Sequence, residues 1–263
     1  MLDLPPDLPP VHLTFEERFE QFDHAAGTWR TRFKWDGIGA FTLPDNGELQ
    51  LYVDPAFSGA GSEPLGLDPF RLEDGALVIS ATPAPAALAD RLWGYPYLSG
   101  MLSTLDSHAQ TYGYFEIRAR MPRGQGFWVS LWLLPVRYTW PPEIDIAEVL
   151  GHETTSLYLN LHSTIPGSGP PFVPLPTPDL ATDFHSHGVA WRPDTITWYL
   201  DGERLQRWPT PADMHEPMHL LATLAVGGDW TGPPDATTPW PGELAIEHVR
   251  IFQFDDLAIG AAP

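Results

Sequence analysis

The 263-residue chain contains no cysteine and few basic side chains. Without cysteine it can form no disulfide and carry out no thiol redox chemistry, an absence compatible with any compartment. Lysine and arginine together number 14 against 34 aspartates and glutamates, so the formal net charge is −20. This charge repels nucleic acids and anionic membrane surfaces, and it disfavours sulfated or uronic polymers as ligands.

Long apolar runs are also missing. No stretch of 18 or more apolar residues occurs, so we expect no membrane-spanning helix. The segment Met1–Pro10 lacks both the positive region and the apolar core of a signal peptide. We interpret residues 1–12 as a proline-rich lead-in and residues 13–263 as a single domain.

Signals for helices are scarce, whereas turn-forming residues are abundant. The 30 prolines and 23 glycines are spread along the whole chain, a pattern typical of many short strands joined by turns. A chain of this length can bury a large core. Short apolar segments separated by turn signals every 8–12 residues predict an all-β fold, an antiparallel two-sheet sandwich. They predict a pair of strands between Trp29 and Tyr52, a long loop over residues 54–74, three strands from Tyr97 to Pro135, and further strands from Ser156 to Phe254.

Three carboxylates lie close together in the segment Glu143–Glu148, where they are interleaved with apolar residues. Strict strand alternation would place Glu143 and Asp145 on one face but Glu148 on the core face, where an unpaired carboxylate is costly. A β-bulge near Ala147 would shift the alternation by one residue. The sequence therefore predicts a bulged strand that carries all three acids on one face.

Such a row of acids suits the cleavage of glycosidic bonds. Retaining hydrolysis needs two carboxyl groups roughly 5–5.5 Å apart, one as nucleophile and one as proton donor. Repulsion within the row would raise one pKa and so keep the proton on the donor. The spacing alone leaves two alternatives open, namely a solvated acidic strand edge and a short helix that begins at Pro141 or Pro142.

Longer motifs narrow this choice. Glu143–Glu148 matches the signature E-[I/L]-D-x-x-E, Tyr112–Pro122 resembles "YGxFExRxKxP", and Gly124–Pro135 resembles "GxGxWPAxWLLP". Together they resemble glycoside hydrolase family 16 in its laminarinase-type, bulged form, over a region from about Phe15 to about Phe254. The resemblance implies a concanavalin-like β-jelly roll whose concave sheet forms an open cleft, and hence endo-action on a polymer.

The resemblance also implies the site residues. Glu143 would be the nucleophile and Glu148 the acid/base, while Asp145 would orient Glu143 and modulate its charge. His162 matches a family histidine near these carboxylates, with hydrogen bonding as its expected task.

Four further residues are candidates for contacts with sugars. Trp128 and Trp132 are four positions apart, so on one strand they share a face, where they could stack on sugar rings or simply belong to the core. Asn46 lies in a segment similar to the family's "NNELQ", although Asn46-Gly47 is also a plain hairpin-turn signal. Trp230 ends a "GGxW" motif and either stacks on a sugar or anchors the loop that follows.

The expected substrate is a neutral polysaccharide, either a β-1,3-glucan or a mixed β-1,3/1,4-glucan. Agarose or a bacterial exopolysaccharide comes second, and a transglycosylase or a non-catalytic β-glucan-binding protein would be built on the same fold. No nucleic acid, membrane or cofactor is expected as a partner, and the protein is expected to be a monomer.

Two properties implied by the resemblance do not fit the chain directly. Family members often bind a structural calcium ion with a glutamate of the first strand, but Arg18 stands at that position, so we predict no metal ligand. The substrate class implies a secreted or periplasmic enzyme, whereas the chain shows no signal peptide. Localisation therefore stays open from the sequence.

Overall fold

The computed structural model describes residues 4–258, and strands dominate it. The strands are β1 (Val11–Glu17), β2 (Gln50–Tyr52), β3 (Phe70–Glu73), β4 (Ala76–Pro83), β5 (Tyr97–Ser99), β6 (Met101–Ser103), β7 (Gly113–Arg120), β8 (Phe127–Pro135), β9 (Glu143–Leu150), β10 (Ser156–His162), β11 (Leu175–Pro176), β12 (His185–Trp191), β13 (Thr195–Leu200), β14 (Glu203–Pro209), β15 (Met218–Val226) and β16 (Gly242–Phe254). The helical segments are three 3-10 turns, Gly37–Ala40, Pro44–Asn46 and Ala86–Leu88, and the short helix α1, Asp255–Ala258. None of the described helices is long and apolar enough to span a membrane.

These strands form two sheets, as the sequence predicts. The outer sheet has ten strands, with β14-β13-β12-β7-β16-β4-β5-β2 as its main order, β1 paired with β16 and β3 paired with β4. The inner sheet has six strands in the order β11-β10-β9-β8-β15-β6. β2 pairs with β5 in parallel, whereas the other strand pairs of the described chain are antiparallel. The all-β sandwich is confirmed, with this one departure from antiparallel pairing.

The main core fills the space between the two sheets. Phe115 and Ile117 of β7 and Leu131 and Leu133 of β8 are fully buried in one cluster. In each pair the residues are two positions apart, because alternate side chains of a strand point to the same face. The intervening positions of the inner sheet therefore point away from the core and are free to form a cleft.

The region from residue 97 to residue 135 contains four strands rather than the three predicted. The extra strand arises because the chain crosses from the outer sheet (β5) to the inner sheet (β6) at Gly100. A Cβ atom at this position would lie 2.8 Å from the Phe70 ring and 2.9 Å from Ile79. Only glycine allows so close an approach, and a sequence pattern does not show it.

The predicted pair of strands between Trp29 and Tyr52 is wrong. Residues Pro44–Asn46 form a 3-10 turn closed by Gly47 at φ 70°, and β2 is the one strand of this region. The Leu49 N–H donates to the Val226 carbonyl at 2.8 Å. The segment is therefore held by β15, a distant strand, and not by a hairpin partner next to it in sequence.

The ends and loops depart from the prediction in smaller ways. β1 begins at Val11, inside the predicted lead-in, and pairs along β16. Residues 1–3 of the predicted lead-in and residues 259–263 of the predicted domain lie outside the described residues. The loop predicted over residues 54–74 ends in β3, which forms a hairpin with β4.

Candidate active site

The predicted bulge is present in β9. Ala147 pairs with Leu131 and Asp145 pairs with Trp132, so Ile146 has no partner of its own on β8. The pairing with β10 shifts at the same place. This extra residue changes the alternation as predicted, and the apolar residues of β9 stay in the core.

All three acids consequently line one open cleft on the inner sheet, with a volume of about 850 Å³. Asp145 is 1% exposed and Glu148 is 6% exposed. The four residues that the sequence proposes for sugar contacts line the same cleft, namely Asn46, Trp128, Trp132 and Trp230, and so does His162. The structure thus brings every proposed site residue together.

Each glutamate has its own tryptophan as hydrogen-bond donor. The Trp140 Nε1–H donates to Glu143 Oε2 at 2.9 Å. The Trp128 Nε1–H donates to Glu148 Oε1 at 3.2 Å. These two indoles fix the orientation of the carboxyl groups at opposite ends of the row.

Burial and mutual repulsion raise the pKa values of all three acids. Burial, followed by the charge of Glu143, raises the pKa of Glu148 to about 8, against the effect of the Trp128 N–H. Burial, followed by the charge of Asp145, raises the pKa of Glu143, and His162 and the Trp140 N–H oppose this rise. Burial, followed by the charge of Glu148, raises the pKa of Asp145 to about 6. At neutral pH a proton is therefore available within the row.

His162 supplies a positive charge at one end of the row. Its Nε2 lies 3.6 Å from Glu143 Oε1 and 3.5 Å from Asp145 Oδ2. Burial alone would lower the pKa of His162, but the hydrogen bond to Asp145 and the charges of Asp145 and Glu143 raise it to about 9. The imidazolium thus faces Glu143 and Asp145, whereas Glu148 has no such cation beside it among the described residues.

One donor atom each from Glu143, Asp145 and His162 lies within 4.8 Å of the others. That spacing would allow a cation to bind. We infer that the group serves acid–base chemistry, because Glu143 and Asp145 belong to the signature E-[I/L]-D-x-x-E.

A tryptophan from the opposite sheet holds the bulge. Trp198 of β13 is fully buried, and its Nε1–H donates to the main-chain carbonyl of Asp145 at 2.7 Å. A bulge leaves main-chain groups without ladder partners, and a buried carbonyl needs a donor. The outer sheet therefore contributes directly to the position of the acids.

Aromatic side chains form one wall of the cleft. The Trp230 ring packs edge-on against Trp128 at 5.4 Å and against Tyr158 at 4.7 Å between ring centroids. Phe172, from the loop between β10 and β12, packs on Trp230 at 5.1 Å. The exposed parts of these rings offer apolar faces on which sugar rings can stack.

Three cleft residues were not identified from the sequence. Trp140 lies three positions before Glu143, and Phe172 lies in a proline-rich loop without a recognisable motif. Glu48 is buried beside Asn46 and accepts hydrogen bonds from Gln50 Nε2 at 2.6 Å and from the Leu43 N–H at 3.2 Å. Burial raises the pKa of Glu48 to about 7. Its place in the "NNELQ"-like segment was the one available signal.

The region where the resemblance implies calcium is occupied by ion pairs. Arg18 Nη2 lies 2.8 Å from Glu16 Oε1. Both acids of the last strand are also paired, Glu243 with Arg71 at 2.8 Å and Glu247 with Arg118 at 2.5 Å. A divalent cation there would meet guanidinium groups, so these residues do not fit a calcium site.

Comparison with known proteins identifies the family. The model of "Glycosyl hydrolases family 16" matches residues 70–242, a region that contains β4 to β15 and hence the whole row of acids. The chain belongs to this family. A beta-glucanase of Rhodothermus marinus is 31% identical over 282 residues, which cover 90% of this chain and 88% of that protein.

Other family 16 relatives extend the comparison. An endo-1,3-1,4-beta-glycanase of Rhizobium meliloti (strain 1021) is 39% identical over 245 residues, which cover 92% of this chain but 52% of that protein. The chain therefore spans about half the length of this relative. The catalytic domain of an endo-1,3-beta-glucanase (laminarinase) from Thermotoga petrophila superimposes with a TM-score of 0.75 at 28% identity, covering 94% of this chain and 100% of that domain. This likeness confirms the predicted jelly-roll sandwich.

Proposed function

We propose that the chain is an endo-acting, retaining β-glycoside hydrolase that cleaves a β-1,3-glucan or a mixed β-1,3/1,4-glucan. The observation that carries this proposal is the convergence of Glu143, Asp145 and Glu148 on one face of β9, in an open cleft with aromatic walls. An open cleft accepts a polymer at any point along its length, which favours internal cleavage.

In the first chemical step, the Glu143 carboxylate attacks the anomeric carbon of the sugar. The glycosidic C–O bond breaks as Glu148 transfers its proton to the leaving oxygen, and a glycosyl ester forms on Glu143. Glu148 suits the donor role because its pKa, about 8, keeps the proton in place at neutral pH. Burial and the charge of Asp145 raise the pKa of Glu143, but His162 and Trp140 oppose this rise by stabilising the ionised carboxylate, which supports the nucleophile role.

In the second step, water replaces the ester. Glu148, now a carboxylate, takes a proton from the water while the water oxygen attacks the anomeric carbon and releases Glu143. Two displacements restore the original β configuration. Asp145, between the two glutamates and beside His162, holds Glu143 and balances its charge as the ester forms and breaks.

The substrate is inferred from the relatives and the charge of the cleft. The Rhizobium and Thermotoga proteins are named as endo-1,3-1,4-beta-glycanase and endo-1,3-beta-glucanase. Five acids line the cleft, the three of β9 together with Asp45 and Glu48, so the sugars bound there should be neutral. Since every one of these residues comes from one chain, we also propose that the protein acts as a monomer.

Incubation with laminarin, mixed-linkage glucan, agarose and a bacterial exopolysaccharide, followed by sizing of the products, tests this function. We expect short oligosaccharides from the glucans, with the β anomer formed first in proton NMR spectra. An initial α anomer would refute double displacement. Longer products than substrates would indicate a transglycosylase, and binding without any cleavage would indicate a glucan-binding protein.

A further inference from the structure

A second groove, with a volume of about 720 Å³, lies beside the catalytic cleft. Its walls come mainly from the segment between residues 30 and 41, with Ser58, Gly59 and Trp93 on the other side. Trp35 lines both this groove and the cleft. A glycan chain that leaves the cleft past Trp35 would therefore enter the groove.

The groove carries a row of cations. Arg30, Arg32 and Lys34 line it, and they alternate with the buried residues Thr31 and Phe33. Alternation in an extended segment places the three cations on one face. Three of the 14 basic residues of a chain with net charge −20 thus lie within five positions, and Lys34 is the single lysine of the sequence.

Two of these cations have no acidic partner in the described chain. Arg30 pairs with Asp106 at 2.5 Å. Arg32 and Lys34 are exposed, and neither forms an ion pair within residues 4–258. Asp36 is the one acid that lines the groove, and it does not offset the three cations. The groove is therefore a local positive region on an acidic protein.

The segment that carries the cations is held in place. The Phe33 N–H donates to the Ala40 carbonyl at 2.9 Å, and the Lys34 N–H donates to Tyr138 Oη at 2.9 Å. The Phe33 ring packs edge-on against Trp132, which lines the cleft, at 6.1 Å between centroids. The cation row thus has a fixed position relative to the catalytic cleft.

The groove also offers an aromatic surface. Trp93 is 45% exposed and stacks on Phe41, with centroids 6.2 Å apart and ring planes at 27°. An exposed indole beside unpaired cations suits a sugar that carries a negative charge, because the ring face accepts the C–H surface and the cations accept the anion.

We propose that this groove binds a carboxylate-bearing sugar unit of the same glycan chain, some units away from the bond that is cut. The inference rests on the proposed function and deepens it, because it extends the substrate class from neutral glucans to β-glucans with sparse acidic groups. The acids of the cleft repel an anion at the reacting sugar, whereas Arg32 and Lys34 attract one outside it.

The test compares two polymers with the same β-1,3-glucan backbone and the same low degree of substitution, one carboxymethylated and one hydroxyethylated. Affinity is measured by gel electrophoresis through each polymer, in a Glu143→Gln background that prevents cleavage. kcat/KM is measured in parallel with native Glu143. We expect Arg32→Ala and Lys34→Ala each to lower the carboxymethyl-to-hydroxyethyl affinity ratio ~2- to 5-fold, less at high salt.

Arg207→Ala is the matched control. Arg207 is an exposed arginine of β14, at the edge of the outer sheet, and its replacement removes the same charge far from the groove. It should leave the affinity ratio unchanged, and all variants should keep the native affinity for the hydroxyethyl polymer. A charge reversal, Arg32→Glu, should lower the ratio further than Arg32→Ala.

The two proposals fail in different ways. An affinity ratio that is the same in the Arg32 and Lys34 variants as in the Arg207 variant overturns the groove proposal, whatever the turnover. A ratio that falls as expected while neither polymer is cleaved supports the groove and overturns the hydrolase assignment.

Discussion

The roles of single residues in this cleft depend on which group faces each carboxylate. Glu143 lies beside the imidazole of His162 and the indole of Trp140, whereas Glu148 has the indole of Trp128. Burial and the charge of Asp145 raise the pKa of Glu143, and His162 and Trp140 oppose that rise, whereas the pKa of Glu148 rises to about 8. The opposing effects at Glu143 support its proposed role as nucleophile, and the raised pKa of Glu148 supports its proposed role as proton donor. Similar side chains at the two ends of one row can therefore take different roles.

Removal of either glutamate should produce a distinct chemical signature. Glu143→Ala should abolish turnover, and added azide should restore cleavage of an activated glycoside with an α-glycosyl azide as product. Glu148→Ala should slow polymer cleavage ~10²- to 10⁴-fold and yield a β-glycosyl azide. NMR of the azide products checks the configuration. Opposite anomers would exchange the two roles, and native activity in either variant would refute the assignment.

The hydrogen bonds from the Trp128 and Trp140 indoles should affect the positions of the basic and the acidic limb of the pH profile, respectively. Trp128→Phe removes a hydrogen bond that lowers the pKa of Glu148, so that pKa should rise. Because the first step requires protonated Glu148, kcat/KM falls as pH rises through this pKa, and the basic limb should move to higher pH. Measurement of kcat/KM on laminarin across pH gives the result.

Trp140→Phe is the counterpart at the other end of the row. It removes a donor that lowers the pKa of Glu143, which must be ionised to attack. Activity is lost as pH falls through this pKa, so here the acidic limb should move to higher pH while the basic limb stays. If each variant moved the other limb, Glu143 and Glu148 would have exchanged roles.

Among the secondary-structure elements, the bulged strand β9 and the loop between β10 and β12 form the cleft in different ways. β9 carries its acids at positions determined by its own alternation and one extra residue. The loop carries Phe172, whose position depends on contacts with Trp230 and Tyr158. In the proposed function, the strand therefore supplies the catalytic carboxyl groups and the loop supplies binding surface.

Truncation of Phe172 should weaken polymer binding without affecting the bond-breaking step. Phe172 is 49% exposed over the cleft, and one aromatic stacking contact contributes about 0.5–1.5 kcal/mol. Phe172→Ala should therefore raise KM for laminarin ~2- to 10-fold with little change in kcat. Val173→Ala is the control, since Val173 is equally exposed, at 53%, but does not line the cleft. Equal effects in both variants would mean that the loop acts only through its overall fold.

For the molecule as a whole, charge is distributed unevenly. The chain carries a net charge of −20, yet arginines pair with acids of the first and last strands. Arg30, at one end of the groove, pairs with Asp106. Ion pairs at the outer sheet join β1, β7 and β16 where the resemblance implies calcium. We infer that these pairs take the structural place of the ion.

Removal of divalent cations should accordingly leave the protein unchanged. EDTA should alter neither the melting temperature nor the rate on laminarin, because Arg18, Arg71 and Arg118 engage the carboxylates that a calcium ion would need. Arg18→Glu is the informative comparison, since it introduces a carboxylate at that position, and added calcium should then raise the melting temperature. A melting temperature that falls when EDTA is added to the native protein would contradict this prediction.

The sequence alone determined the row of acids and its face. The spacing of Glu143, Asp145 and Glu148 is a property of one strand, and the period of two residues follows from backbone geometry. Because strict alternation would place Glu148 on the core face, this one acid already indicates the bulge. The strands from β7 onward were located for the same reason, because alternation and turn residues are local signals.

The tertiary structure decided what surrounds that row. The hydrogen bonds of Leu49 to Val226 and of Asp229 to Asn46, the crossing at Gly100, and the meeting of Phe172 with Trp230 all join segments far apart in sequence. The cations Arg32 and Lys34 lie beside the cleft because Phe33, between them, packs on Trp132, about a hundred residues away in the chain. Such contacts depend on the packing of whole sheets and loops, and no local pattern of side chains specifies them.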